Sequence, residues 1–203
     1  NVTASPFAGI DPEEPFDVAP YAQGVFEYFL RNPVCQEMGR KIKIAFSSSR
    51  SDSAFTYIHD FGFIPKIKDG AYGFEVIVGG GLGAQAFMGQ LAYEFLPQDE
   101  LIPFIEAGLR VFDRYGERER RHKARLKFLI DPKKGIGLDG YLKLIEEERK
   151  RRVEEFEKVE CENDDDSDDE AVQTRRLEAQ RRFEEKKRRR ERRKGRKEPD
   201  ADE

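Results

Sequence analysis

The run Arg40-Lys41-Ile42-Lys43-Ile44-Ala45-Phe46 has the residue types and spacing best suited to chemistry in this chain. Successive side chains on a strand point to opposite faces. A strand over 41–47 would therefore project Lys41 and Lys43 together and turn Ile42, Ile44 and Phe46 the other way. Two neighbouring ammonium groups repel each other unless an anion or water lies between them. The pair is thus a candidate anion site, and a solvated sheet face is the plain alternative. The run Gly79-Gly80-Gly81-Leu82-Gly83 is the second feature. Glycine-rich loops can cradle phosphate. This one lacks the Lys-Ser/Thr of a P-loop and the spacing of a dinucleotide fingerprint, so it reads as a place of close backbone approach or a strand-to-loop exit.

The remaining reactive residues are sparse. His59 sits among Phe55, Tyr57 and Phe61 and reads as packed, while His122 lies in a basic segment and reads as exposed. Neither has a partner at metal-ligand spacing. The two cysteines, Cys35 and Cys161, lie in segments of unlike character. No disulfide framework is expected, and the pattern fits a reducing cytoplasm. Two cysteines alone can ligate neither an iron–sulfur cluster nor a structural zinc.

The elements that must position these residues follow from periodicity. The net charge of -4 over 203 residues averages two unlike parts. Residues 1–145 are mixed and aromatic, as a globular domain is. Residues 146–203 are almost entirely charged. No apolar run is long enough for a transmembrane helix, no signal peptide opens the sequence, and the start at Asn1 suggests a fragment. Residues 1–20, with Pro6, Pro12, Pro15 and Pro20, read as an irregular lead-in. Helical spacing of Val25, Phe26, Phe29 and Leu30 predicts a helix over 20–31, with a short turn of helix to Met38. After strand 41–47 comes a Ser-rich loop, Ser47 to Ser53. Strands follow near 61–67 and over 73–78, joined by a turn at Asp69-Gly70. Beyond Pro97 the pattern turns helical, first around Leu101 to Phe112, then over about 119–130, then from Leu138 into the charged part. The fold class is α+β: a small antiparallel sheet with flanking helices, followed by a charged helical or disordered tail.

The tail holds an acidic block, Glu160 to Glu170, and a basic block over 175–197 with fourteen Lys and Arg. Such blocks stay solvated, and Leu177 and Phe183 are too sparse for a coiled-coil seam. Asp164-Asp165-Asp166 lacks the glycine and terminal Glu of a calcium loop and reads as solvated charge.

Read in order, Asn1-Val2-Thr3-Ala4-Ser5-Pro6, Arg40-Lys41-Ile42-Lys43 and Gly73-Phe74-Glu75-Val76-Ile77-Val78-Gly79-Gly80-Gly81-Leu82-Gly83 resemble the sirohaem-dependent nitrite/sulfite reductase family over roughly residues 1–150. The resemblance implies sirohaem and a [4Fe–4S] cluster coupled through a cysteine, and six-electron reduction of sulfite to sulfide or nitrite to ammonia. It implies that Lys41 and Lys43 bind the oxyanion and assist proton delivery. Preorganised cations stabilise the negative charge that each reduction step adds at oxygen. Arg40 would pair with a sirohaem carboxylate, and Gly79, Gly80 and Gly81 would lie close to the flat macrocycle. Lys43 leans the substrate toward sulfite, since plant-type nitrite reductases tend to have Asn there. The basic residues Arg121, Lys123, Arg125 and Lys127 form either a face toward an acidic electron donor or sirohaem carboxylates, or a solvated helix face.

The chain also departs from the pattern. The family's Cys-x5-Cys and Cys-x3-Cys cluster ligands have no match here, so the [4Fe–4S] ligands are absent and no residue of this chain is expected to bind a metal. The arginine that precedes the Asn-Val motif in the family has no counterpart either. The chain reads as a partial reductase, inactive alone, with ferredoxin or a flavoprotein as electron donor and a missing C-terminal half as partner. The alternative is a non-catalytic interaction protein whose basic tail binds nucleic acid non-specifically, or a charged partner.

Overall fold

A computed structural model describes the backbone of residues 1–163 except Glu37 and Gly39, and side chains to residue 153 except also Val34 and Gln36. The expectations for Asp164-Asp165-Asp166 and for the basic block fall outside the described residues. Residues Asn1–Arg152 form one compact unit, and a second begins at Val153.

Five strands form one sheet in the order β1-β2-β3-β4-β5: β1 Val2–Ala4, β2 Ile44–Phe46, β3 Phe61–Lys68, β4 Ala71–Val78 and β5 Gln90–Pro97. The β3–β4 hairpin forms as its turn residues predict. Asp69 and Gly70 adopt φ of 52° and 76°, and Lys68 pairs with Ala71 across the two-residue turn. Positive φ at both central positions matches the twist of the flanking strands. β4 and β5 are also antiparallel, but β1 runs parallel to β2 and β2 parallel to β3. The sheet is therefore mixed rather than wholly antiparallel. Parallel neighbours need long connections, and here residues 5–43 and 47–60 supply them.

Two strands lie outside the sequence expectation. β1 occupies part of the presumed irregular lead-in, anchored where Ile44 N–H donates to the Asn1 carbonyl and Ser5 N–H to the Phe46 carbonyl, at 2.9 and 2.7 Å. β5 carries Leu91, Tyr93 and Phe95 at period two, but its register against β4 shifts twice, on either side of Val76. β2 is shorter than 41–47, because only Ile44–Phe46 are flanked by strands on both sides.

The helices are α1 Ala19–Phe29, α2 Pro33–Gln36, α3 Leu101–Tyr115, α4 Leu126–Leu129 and α5 Gly137–Asn163. The amphipathic stripe of α3 buries Phe104, Ile105, Leu109 and Phe112 against the sheet. Phe104 meets Phe61, Phe63 and Tyr93 edge-on, with ring centroids 6.0, 6.5 and 5.6 Å apart. Tyr141 of α5 is fully buried, and its hydroxyl donates to the Gly108 carbonyl at 2.8 Å. The expected helix over 119–130 is confined to α4, preceded by a 3-10 turn at Arg121–Lys123.

The crossover over 47–60 is closed by hydroxyls. Ser48 Oγ donates to Asp11 Oδ2 at 2.7 Å and to Ser5 Oγ at 3.1 Å, and Ser5 and Ser53 hydroxyls lie 2.7 Å apart. Ser5, Ser47, Ser48 and Ser49 are buried. The Ser-rich loop is thus satisfied internally, as buried polar groups must be.

Candidate functional site

Lys41, Ile42, Lys43 and Ile44 alternate exposed and buried. The alternation expected of a strand therefore holds in the segment that leads into β2. Ile42 and Ile44 are 8% and 5% exposed and join the core beside Phe29 and Leu109. Both ammonium groups are left facing solvent on the same side, while Arg40 is half-buried at the preceding bend.

What fixes this segment is Asp60, a residue that sequence reasoning did not single out. Its side chain is fully buried. Asp60 Oδ2 accepts the Lys43 main-chain N–H at 2.9 Å. Arg125 Nη2 donates to both carboxylate oxygens, at 3.0 and 2.9 Å. The Asp60 carbonyl accepts the Gly79 N–H at 2.8 Å. Burial pushes the Asp60 carboxyl above the usual aspartate range, against the opposing pull of Arg125, the Lys43 N–H and the Lys43 charge. An Asp followed by Phe-Gly at the entry to a strand was the only available signal, and it carries no spacing information about Arg125.

The glycine run leaves β4 directly beside this pair. Gly79, Gly80 and Gly81 are buried, and each touches the chain itself. A Cβ on Gly79 would lie 1.9 Å from Ile130 Cδ1, one on Gly80 2.2 Å from the Tyr57 carbonyl oxygen, and one on Gly81 3.1 Å from Lys127 Cδ. Close approach at these positions is thus approach to the protein's own backbone and side chains. Beyond them, Gly81 and Phe87 exchange main-chain hydrogen bonds of 3.0 and 2.9 Å, closing the neck of a loop.

Lys127 organises that loop from inside. It is 3% exposed, and its ammonium donates to the carbonyls of Gly81 and Leu82, at 3.3 and 3.1 Å, and to that of Gln85. The rings of Phe87 and Phe128 lie 5.6 and 5.2 Å from Nζ, within cation–π range. Burial lowers its pKa, and the Arg125 charge adds to that. The proposed basic face over 119–130 is therefore corrected at two of its members. Lys127 is interior, held by three loop carbonyls, and Arg125 is committed to Asp60. His122 is exposed, and His59 is half-buried with its Nδ1 2.8 Å from the Phe55 carbonyl.

A hollow of about 380 Å³ lies beside the lysines, walled by Phe26, Leu30, Met38, Arg40 and Lys41 among others. Apolar surface edged by cations is what a flat, carboxylate-bearing macrocycle requires, so Arg40 and Lys41 fit the donor chemistry of sirohaem, while Lys43 lies outside the lining of this hollow. A [4Fe–4S] cluster does not fit this chain's own residues. It takes four thiolates, and the sequence contains two cysteines. Among the described residues no three His, Cys, Asp or Glu side chains converge as metal ligands.

The family model described as the nitrite and sulphite reductase 4Fe-4S domain matches residues 1–153. The chain is 29% identical over 151 residues to the chloroplastic ferredoxin–nitrite reductase of Oryza sativa subsp. japonica, covering 72% of this chain and 25% of that protein. It is 32% identical over 148 residues to sulfite reductase (ferredoxin) 1 of Mycolicibacterium paratuberculosis, covering 72% and 26%. The solved structure of the Mycobacterium tuberculosis NirA protein superposes with a TM-score of 0.66 at 29% identity, over 74% of this chain and 27% of that one. The chain spans about a quarter of the length of the curated relatives it matches.

Proposed function

Since the chain belongs to the nitrite and sulphite reductase 4Fe-4S domain family, which depends on sirohaem and a [4Fe–4S] cluster, we propose that it is the substrate-side part of such a reductase. In this reading Lys41 and Lys43 receive sulfite or nitrite, and Arg40 pairs with a carboxylate of sirohaem. The observation that carries it is the pair of exposed ammonium groups on a main chain held by a buried carboxylate. Pre-positioned cations of this kind stabilise negative charge developing at oxygen without reorganising first.

When bound, sirohaem supplies the electrons that reduce the oxyanion. The chain's own contribution is electrostatic: it orients the anion and holds protons at two lysines. The cluster thiolates would come from a further segment bearing the two cysteine pairs, and ferredoxin, the donor in the relatives' names, would supply electrons. Alone, the chain would then reduce nothing. Among the described residues no helix is long and apolar enough to cross a membrane. The cytoplasmic location we propose rests instead on the two lone cysteines, which fit a reducing compartment.

The test is an absorption spectrum of the chain expressed with excess sirohaem. A Soret band that co-purifies stoichiometrically, and weakens in the triple variant Arg40→Ala/Lys41→Ala/Lys43→Ala, is expected. A band indifferent to the triple variant rejects these residues as the cofactor-facing cations, and a colourless protein means that the pocket needs the segment bearing the cysteine pairs.

A further inference from the structure

We infer that Asp60 is a positioning residue for the candidate anion site: it ties the main chain of Lys43 to Arg125 and to the start of the glycine run. The inference rests on the reading of Lys41 and Lys43 as anion-binding residues and deepens it. Neither lysine side chain touches Asp60's carboxylate, which instead holds the Lys43 N–H at 2.9 Å. The same carboxylate is held by Arg125 at 2.9 and 3.0 Å. The residue's own carbonyl receives the Gly79 N–H at 2.8 Å, and the Lys43 carbonyl receives the Phe61 N–H at 3.1 Å. One buried residue thus connects the lysine segment, the entry to β3, the exit of β4 and the segment before α4.

This arrangement also sorts the positive charges. The ammonium of Lys127 is occupied by three carbonyls, and the guanidinium of Arg125 lies against Asp60. Lys41 and Lys43 both face solvent at this corner. Without Asp60 the Lys43 amide would lose its acceptor and Arg125 would face the lysines uncompensated. A site that must present two charges at a fixed spacing needs its backbone held by contacts of this kind.

Amide hydrogen exchange on the 203-residue chain tests it, read as the ratio of the Lys43 rate to the Ile105 rate, so that a general loss of stability cancels. In Asp60→Ala the ratio should rise at least tenfold. In Asp60→Asn, whose side-chain oxygen can still accept the Lys43 N–H, it should return to within threefold of the unsubstituted chain. An unchanged ratio in Asp60→Ala, or an Asn variant no better than the Ala variant, overturns the inference and leaves Asp60 an ordinary buried partner of Arg125. Should Asp60→Ala fail to fold, the unsubstituted chain gives a second reading. A scalar coupling across the hydrogen bond from the Lys43 amide nitrogen to the Asp60 carboxyl carbon is expected, and its absence overturns the inference. Sulfite titrated into the unsubstituted chain separates the two levels. No shift at the Lys41 and Lys43 amides rejects the anion reading, while the exchange ratio still reports whether Asp60 holds Lys43.

Discussion

Lys127 and Gly81 occupy each other's space: the ammonium donates to the Gly81 carbonyl at 3.3 Å, and Lys127 Cδ stands 3.1 Å from where a Gly81 Cβ would lie. A basic residue buried this way acts as an internal cation for the loop from Gly81 to Phe87. Lys127→Met keeps the volume and removes three charge-assisted hydrogen bonds, although the Gly81 carbonyl keeps the Phe87 N–H. The expected cost is about 2 kcal/mol, read from urea denaturation. A loss within about 0.5 kcal/mol, the range of ordinary surface substitutions, would show that the ammonium does not organise the loop.

Gly80 should be the least replaceable glycine of its run. An added Cβ would meet the carbonyl oxygens of Tyr57 and His59 at 2.2 and 2.8 Å, and Tyr57 carbonyl already receives the Gly89 N–H at 2.7 Å. Backbone cannot move aside as a side chain can, so Gly80→Ala should cost about 3 kcal/mol. Gly83→Ala meets nothing within 4 Å and carries only the strain of φ +120°, about 1–2 kcal/mol. Equal costs in a denaturant series would contradict the close approach seen at Gly80.

The pair Asp60–Arg125 should obey the asymmetry of buried charges. Arg125→Met strands a buried carboxylate, with an expected loss of about 3–5 kcal/mol. The double variant Asp60→Leu/Arg125→Met removes both charges and leaves the Lys43 N–H without its acceptor, for about 1–3 kcal/mol. A double variant less stable than the single one would be inconsistent with this account.

Lys41→Ala and Lys43→Ala should leave stability within about 0.5 kcal/mol of the parent, since both side chains are exposed. Their effect belongs to anion binding: sulfite-induced amide shifts in this segment should vanish in the double variant. Thermal melts and a sulfite titration measure the two separately, and a large drop in melting temperature would instead make the lysines structural.

Acid should loosen the contact between α3 and α5. Burial raises Glu106, but hydrogen bonds from Tyr28 and Arg110 and the charges of Arg152 and Arg110 outweigh it. Burial likewise raises Glu148, and Arg151 and Arg114 bring it below the ordinary value. A carboxyl depressed in the folded state binds protons less readily there than in the unfolded chain. Its contribution is therefore present above the ordinary value of 4.5 and is lost as pH falls through the folded one. Asp60, raised by burial, works in the opposite sense: its cost grows as pH rises from 3.8 through its folded value. Urea midpoints should fall below about pH 4.5, and Glu148→Gln should flatten that limb. An unchanged limb would remove Glu148 from the explanation.

The sequence by itself determined what depends on neighbours along the chain. The alternation of Lys41, Ile42, Lys43 and Ile44 placed the two ammonium groups on one side because apolar residues two apart seek the same core. Asp69-Gly70 specified the hairpin turn because few other pairs tolerate positive φ at both positions. The apolar stripe of α3 marked its buried face, and the three ordered motifs marked the family. Period two in Leu91, Tyr93 and Phe95 is present in the sequence but lies outside the strands predicted from it, and only the pairing with β4 shows it as β5. Only the tertiary structure decided the rest. Asp60 and Arg125 are 65 positions apart, and no local period links them. Lys127 has the same sequence signature as an exposed helix lysine, yet three carbonyls from a distant loop make its burial tolerable. Pairing of β1 with β2, and the identity of each charge's partner, depend on contacts that exist only once the crossovers have closed, because the energy of a charge is set by its surroundings in space rather than by its place in the chain.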